Sequence, residues 1–278
     1  MKKLLTAICL VLLLAPAALA QEVIKMSTTT STQDSGLLEV LLPEFTKDTG
    51  IEVQVLAKGT GAAIRDGADG NVDVIFVHDP EREEQFVADG LGTERYKVMH
   101  NDFVIVGDPS DPAKIKGLKS ALEAFKAIAA SKSEFISRGD DSGTHAKEVA
   151  VWKATGLPMK DKSPEGEWYL SIGQGMGKTL IMAAEKKAYA LTDRGTYIAQ
   201  KYGAQTPTSL EILVEGDEIL FNPYGVIPVN PAKHPHVKHE AAKKFAGWLV
   251  SEKGQKTIAN YQLSGRQVFY PDAIPDAK

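Results

Sequence analysis

Six hydroxyl residues stand in a row at Ser27 to Thr32, within "STTTSTQDSG", directly after an apolar run from Val23 to Met26. Three further segments have similar chemistry. Lys58-Gly59-Thr60-Gly61 follows Ile51–Ala57. Arg138-Gly139-Asp140-Asp141-Ser142-Gly143-Thr144 follows Glu134–Ser137. Thr192-Asp193-Arg194-Gly195-Thr196 follows Ala188–Leu191. Each run of small donors leaves a strand-like stretch and opens a helix-like one. A helix N-terminus presents free N–H groups and partial positive charge. Hydroxyls add donors, and glycine lets the backbone come close. Arg138 and Arg194 offer forked cations suited to oxyanions. Taken singly, each Ser or Thr reads as an ordinary helix cap, and Arg194 beside Asp193 reads as a surface ion pair. Taken together, four donor-rich loops at the ends of strands describe a cage for a tetrahedral oxyanion. Its candidate ligands are Thr29, Thr30, Ser31, Thr60, Arg138, Ser142, Thr144 and Arg194, with Gln174 and Gly175 as weaker additions. If the chain leaves the first strand extended, alternate residues face one way, and Thr29 and Ser31 are the first choices.

The elements that must position these loops alternate between strand and helix. Apolar runs at Val23–Met26, Ile51–Ala57, Val72–Val77, Phe103–Val106, Glu134–Ser137, Trp168–Ile172, Ala188–Leu191 and Gly225–Pro228 read as strands. Helical patterns fall between them, from Ser35–Phe45 to His239–Val250. This is an α/β pattern with parallel-rich sheets flanked by helices. Breaks near Gly107-Asp108-Pro109 and Phe221-Asn222-Pro223 divide the chain into lobe one, residues 21–107 and 223–278, and lobe two, residues 108–222. A ligand is expected in the cleft between them, where strand ends and helix N-termini converge.

Residues 1–20 read as a secretory signal: Lys2 and Lys3, an apolar stretch from Leu4 to Leu14, and Ala18-Leu19-Ala20 before the cut after Ala20. Cleavage leaves 258 of the 278 residues, and the formal charge moves from −4 to −6 because the leader carries two lysines and no acid. The chain's one cysteine, Cys9, lies inside the leader, so the mature protein has neither disulfides nor thiolate ligands. The acidic balance argues against nucleic acid or anionic lipid as a partner. A periplasmic or otherwise exported monomer is expected.

Three motifs tempt and fail. "IGQGMGKT" (Ile172–Thr179) opens a helix after a strand, but a P-loop needs glycine where Ile172 stands. "GDDSGTH" (Gly139–His145) resembles a nucleophile loop, yet His145 sits three residues from Ser142 in a first helical turn, with no orienting group in register. His234, His236 and His239 lack metal-ligand spacing and read as a solvated loop. No nucleophile–base pair and no metal cluster is evident, so a phosphoester or acyl hydrolase is the weaker alternative class. No cofactor is expected.

The chain resembles the periplasmic tungstate-binding proteins of tungsten-specific ABC uptake systems. "TTTSTQDSGLL" (Thr28–Leu38) and "SRGDDSGTH" (Ser137–His145) carry the resemblance, with "NDFVIVGDP" (Asn101–Pro109) in support. It covers essentially the whole mature chain. It implies a two-lobed type II solute-binding fold that closes on tungstate, with molybdate a close chemical match, and delivery to a membrane ABC permease. The family's Thr-Thr-Thr-Ser motif falls on Thr28, Thr29, Thr30 and Ser31, its binding arginine on Arg138, and its loop threonine on Thr144. The oxyanion would be held by hydrogen bonds, not by direct metal ligation. Phosphate is the nearest rival, because Arg138–Thr144 also resembles the anion loop of phosphate-binding proteins. Phosphate keeps a proton at neutral pH and benefits from a carboxylate acceptor, for which Asp79 is the candidate.

Overall fold

The computed structural model describes residues 21–274. The expected leader, 1–20, lies outside the described residues. In chain order the first elements are β1 (Glu22–Thr29), α1 (Thr30–Asp34), α2 (Leu37–Thr49), β2 (Ile51–Lys58), α3 (Thr60–Ala68), β3 (Val74–Val77), α4 (Pro80–Ala88) and β4 (Tyr96–Gly107). Next come α5 (Ala121–Ser131), β5 (Phe135–Ser137), α6 (Gly143–Ala154), a short ladder of β6 (Met159–Lys160) with β7 (Ser163–Pro164), then β8 (Tyr169–Ser171) and α7 (Met176–Lys186). The chain continues through β9 (Ala190–Asp193), α8 (Arg194–Ile198), a π-helical turn at Ala199–Gly203, β10 (Glu211–Val214), a 3-10 turn at Glu218–Leu220 and β11 (Phe221–Pro228). It closes with α9 (His239–Leu249), α10 (Glu252–Asn260), β12 (Gln262–Leu263), β13 (Arg266–Gln267) and β14 (Tyr270–Pro271).

The main sheet runs β10-β4-β11-β3-β1-β2, with β9 and β14 also pairing β4. The β1, β2 and β3 strands are parallel, as the continuous apolar run of β3 predicts. The β11 strand lies antiparallel between β3 and β4, and β9 and β10 pair antiparallel with β4. The sheet is therefore mixed. Its antiparallel members come from return segments whose direction no local pattern reveals.

The β4 strand is far longer than the Phe103–Val106 run suggests. Tyr96–Asp102 pairs β11, and Phe103–Gly107 pairs β9 and β10. One strand thus belongs to two ladders. Around its second half Phe103, Ile105, Phe125, Phe135, Trp152, Tyr189 and Leu213 form an aromatic-rich core drawn wholly from residues 103–220. A smaller core of Ala63, Ile75, Val77, Phe86 and Ile227 lies beside β3. The largest cluster joins α2 and α9 to the sheet through Phe45, Phe76, Phe245 and Trp248. Helix α10 has no counterpart in the sequence reading. It buries only Gly254, Gln255 and Ile258, too thin an apolar face to announce itself.

Candidate functional site

The hydroxyl run divides into two functions. The last four residues of β1, an interior strand, are buried. Ser27 Oγ donates to Asp66 Oδ2 at 2.9 Å and Thr28 Oγ1 to the Phe76 carbonyl at 2.6 Å, so both hydroxyls are consumed by the sheet. Thr29 is the N-cap of α1. Its Oγ1 accepts from the Thr32 N–H at 3.2 Å and lies 2.6 Å from Thr32 Oγ1. The chain therefore stops being extended at Thr29, and the alternation that would pair Thr29 with Ser31 does not continue. Thr30 and Ser31 line a cavity of about 570 Å³; Thr29 lies just behind them, 3.1 Å from Ser31 Oγ.

The Arg138 loop reaches the same cavity from another direction. Strand β5 pairs parallel with β8, Ser137 opposite Ser171. Gly139 turns with φ +63°, and a Cβ there would lie 1.9 Å from Ser171 Oγ, so a side chain would be strained and Ser171 would have to move. Arg138 lines the cavity and donates from Nε to Asp140 Oδ2 at 2.8 Å, which fixes the plane of its fork. Partial burial disfavours the Asp140 charge, but hydrogen bonds from Ser142 and the Arg138 charge outweigh it and hold the carboxyl below the usual range. Ser142 caps α6 by accepting from the His145 N–H, and Thr144, in the first turn, is buried and lines the cavity. Beneath the loop Glu148, 1 % exposed, accepts from Ser137 Oγ at 2.8 Å, Tyr169 Oη at 2.7 Å and Trp152 Nε1 at 3.2 Å. Burial pushes its carboxyl up to about 7 despite those donors.

A third wall comes from α7. Gln174 donates its N–H to the Arg138 carbonyl, and Gly175 caps the helix without a side chain. Gln174, Gly175, Met176 and Gly177 line the cavity, so the first turn of an 11-residue helix, where backbone amides lack intrahelical partners, borders it. Lys178 adds a cation and is tied to Gln174 Oε1 at 3.0 Å.

Four expected residues sit elsewhere. Arg194 pairs bidentately with Asp102 at 2.7 and 2.6 Å, also reaches Glu215 at 2.7 Å, and does not line the cavity. Thr60, buried at the start of α3, and Ser142 are likewise absent from the lining. Asp79 caps α4 and holds Arg82 at 2.6 Å, outside the lining. Two acids do line the cavity. Asp34 is exposed at the end of α1. Asp193 caps α8, with its carboxylate taken by the N–H and hydroxyl of Thr196 at 2.8 and 2.6 Å.

The residue that sequence reasoning missed is His78. It ends the β3 run and lines the cavity with Asn101, Asn222 and Tyr224. Its Nδ1 lies 3.0 Å from Asn222 Oδ1, and its Nε2 lies 3.2 Å from Thr29 Oγ1 and 3.4 Å from Ser31 Oγ. The ring packs on Tyr224 at 4.8 Å. Burial lowers its pKa below the ordinary imidazole value, and the Asn222 hydrogen bond, Asp193 and Asp79 only partly offset this. The available signal was positional: a polar residue at the end of a buried parallel strand, where ligands gather.

The motifs set aside in the sequence stay outside any such chemistry. Ser142 Oγ accepts from a backbone amide, and His145 Nδ1 accepts from the Asp141 N–H, so neither is aligned as nucleophile and base. His234, His236 and His239 each engage a backbone carbonyl, and no metal-binding group of three acids, histidines or cysteines occurs among the described residues. The cavity is lined by hydroxyls, first-turn amides, a forked guanidinium and a lysine, a donor set suited to a small oxyanion.

A PBP superfamily domain model matches residues 15–253, and the chain belongs to that superfamily, with the type II periplasmic binding fold. Within it, the chain is 51 % identical over 252 residues to the tungstate-binding protein TupA of Peptoclostridium acidaminophilum, covering 89 % of this chain and 85 % of that one. The structure of the tungstate-binding protein TupA from Desulfovibrio alaskensis G20 superposes with a TM-score of 0.85 at 49 % identity, covering 91 % of this chain and all of that one. A tungstate ABC transporter structure from Geobacter sulfurreducens matches at 53 % identity and TM-score 0.76 over 87 % of this chain and all of that one.

Proposed function

We propose that this protein is the exported tungstate-capturing component of an ABC importer and hands its anion to a membrane permease. The observation that carries the reading is the single cavity into which Thr30 and Ser31, Arg138 and Thr144, and the first turn of α7 all open. The tungstate-binding names of the relatives point to the same ligand. They are binding proteins, which leaves the hydrolase alternative without support. No helix among the described residues is long and apolar enough to cross a membrane; the export reading rests on the leader-like sequence that ends at Ala20.

In this reading Ser31, Thr30, Thr144, Arg138 and the α7 amides hold the oxyanion, while Thr29, Ser142 and Thr60 shape the loops that present them. The cavity lies between lobe one (21–107 and 223–278) and lobe two (108–222), and the protein acts as a monomer that closes on its ligand. Phosphate is the less suited anion. The acceptor proposed for its proton, Asp79, is engaged with Arg82 and stands outside the cavity lining. Calorimetry of the mature protein with tungstate, molybdate, phosphate and sulfate tests the reading. Tungstate and molybdate should bind tightly and phosphate weakly. Phosphate binding tighter than tungstate, and lost in Asp79→Asn, would overturn it.

A further inference from the structure

A cage of arginine, amides and hydroxyls does not titrate near neutrality, and its affinity for a dianion would be flat with pH. His78 changes that expectation. The direction of its hydrogen bonds follows from its neighbours. Asn222 Nδ2 donates to Asn101 Oδ1 at 2.6 Å, so the Asn222 oxygen is the atom left to face His78. His78 Nδ1 therefore carries a proton and donates. In the neutral ring Nε2 is then an acceptor, and it draws a hydroxyl proton from Thr29 or Ser31, both within 3.4 Å. A hydroxyl whose proton points at His78 does not donate into the cavity. Thr29 Oγ1 also accepts from the Thr32 amide, so its single proton has one use at a time.

We propose that His78 is a positioning residue of anion binding: it sets the direction in which Thr29 and Ser31 donate, and it takes up a proton from solvent when the dianion enters. This inference rests on the reading of the cavity as the tungstate site. Once Nε2 bears a proton it donates to the Thr29 and Ser31 oxygens. The Ser31 hydroxyl, keeping its proton, is then free to donate a hydrogen bond to the anion, and one positive charge is added beside two negative ones.

The surroundings allow the change. Asp79 follows His78 in the chain, and Asp193 acts on it from the cap of α8; both favour the charged ring. Opposing them are burial and the first turn of α6, where a Cβ on Gly143 would lie 2.9 Å from the His78 ring. Asn222, Tyr224 and Thr60 bring no charge, and Arg138 and Lys178, the cations that line the same cavity, oppose a charged ring until an anion offsets them. Without an anion burial wins, and the ring is neutral at pH 7. A dianion in the same cavity adds a favourable interaction in a medium of low polarity, which raises the imidazole pKa.

The test is calorimetric titration of sodium tungstate into the mature protein at pH 7.5, in buffers of different ionisation enthalpy. The dependence of the observed heat on buffer gives the protons taken up. The expected result is uptake approaching about one proton per anion, with a bell-shaped dependence on pH between 6 and 9. His78→Gln, with an amide in place of the titrating ring, should bind more weakly and with no uptake. His145→Gln, outside the cavity, should keep the parent's uptake. Tungstate binding by the parent with no buffer dependence, or uptake that survives in His78→Gln, would overturn the role of His78 while leaving the tungstate reading intact. Absence of tungstate binding by the parent would overturn both. If His78→Gln does not fold, the pH profile of the parent decides, because flat uptake across that range sinks the proposal by itself.

Discussion

The two loops that meet at the cavity are built on opposite plans. The exit of β1 is rich in hydroxyls, yet most are satisfied within the protein: Ser27 by Asp66, Thr28 by Phe76, and Thr29 by Thr32. What reaches the cavity is a remainder, Thr30 and Ser31, on a scaffold fixed by parallel strands on both sides. The Arg138 loop follows a three-residue strand. Its order depends on side chains: Asp140 holding Arg138 from above, and buried Glu148 gathering Ser137, Trp152 and Tyr169 from below. One loop is held by the backbone ladder and lends hydroxyls; the other is held by carboxylates and lends a cation. Substitution should therefore damage the two in different ways.

The largest effect is expected beneath the Arg138 loop. Glu148→Ala leaves three buried donors without their acceptor and should cost about 3 kcal/mol or more of stability, read by denaturant unfolding. Glu148→Gln keeps an oxygen for Tyr169 and Trp152 and an amide for Ser137, and should be tolerated. The pH dependence has a definite sign. The folded carboxyl is raised to about 7, so the unfolded chain releases its proton first. The stability this group contributes is whole below about pH 4.5 and is lost as pH rises to about 7. Glu148→Gln should flatten that part of the curve; an unchanged slope would remove Glu148 as its cause.

Arg138→Lys comes next. It keeps the charge but loses the fork. With a charged hydrogen bond worth roughly 1.5–3 kcal/mol, tungstate affinity should fall on the order of tenfold or more in calorimetry. Stability should barely change. An affinity equal to the parent's would take Arg138 out of the site.

Within the hydroxyl run the effects should separate. Ser31→Ala should weaken binding by about 1 kcal/mol, one neutral hydrogen bond, without lowering the unfolding temperature. Thr29→Ala should show more in the unfolding temperature, because it removes the cap of α1, worth about 1 kcal/mol. Equal effects on affinity from the two would mean that the hydroxyls act as one undivided cluster. The smallest effect is expected at Thr60→Ala, where affinity should be unchanged because the residue stands outside the cavity. A clear loss there would return Thr60 to the set of anion donors.

Local pattern revealed what is local. The β–α alternation, the donor loops at strand ends, and Arg138, Thr144, Thr30 and Ser31 were all visible, because each follows from a strand exit that opens a helix. What depends on register was hidden. His78, Asn101 and Asn222 come from three distant places in the chain. They meet because β11 returns antiparallel between β3 and β4, with Asn222 opposite Asn101. Arg194 looked equivalent to Arg138 for the same reason. Both are arginines in donor-rich loops, and only the fold brings Asp102, 92 positions away, against one of them. The end of the extended chain was hidden on a smaller scale. The helix begins one residue after Thr29, whose hydroxyl oxygen caps it.

The support beneath Arg138 also makes the protein its own optical gauge. Trp152 donates its indole N–H to Glu148, the carboxylate that receives the hydroxyl of Ser137, the residue immediately before Arg138. Trp168 packs on Trp152 at 5.5 Å, whereas Trp248 is far along the chain and bound to Asp48. An anion settling on Arg138 is thus one peptide bond and two hydrogen bonds from an indole whose emission responds to the charge on its partner. Emission of the Trp152–Trp168 pair is therefore expected to change in intensity and colour as tungstate is titrated into unlabelled protein, with Trp248 as the internal reference.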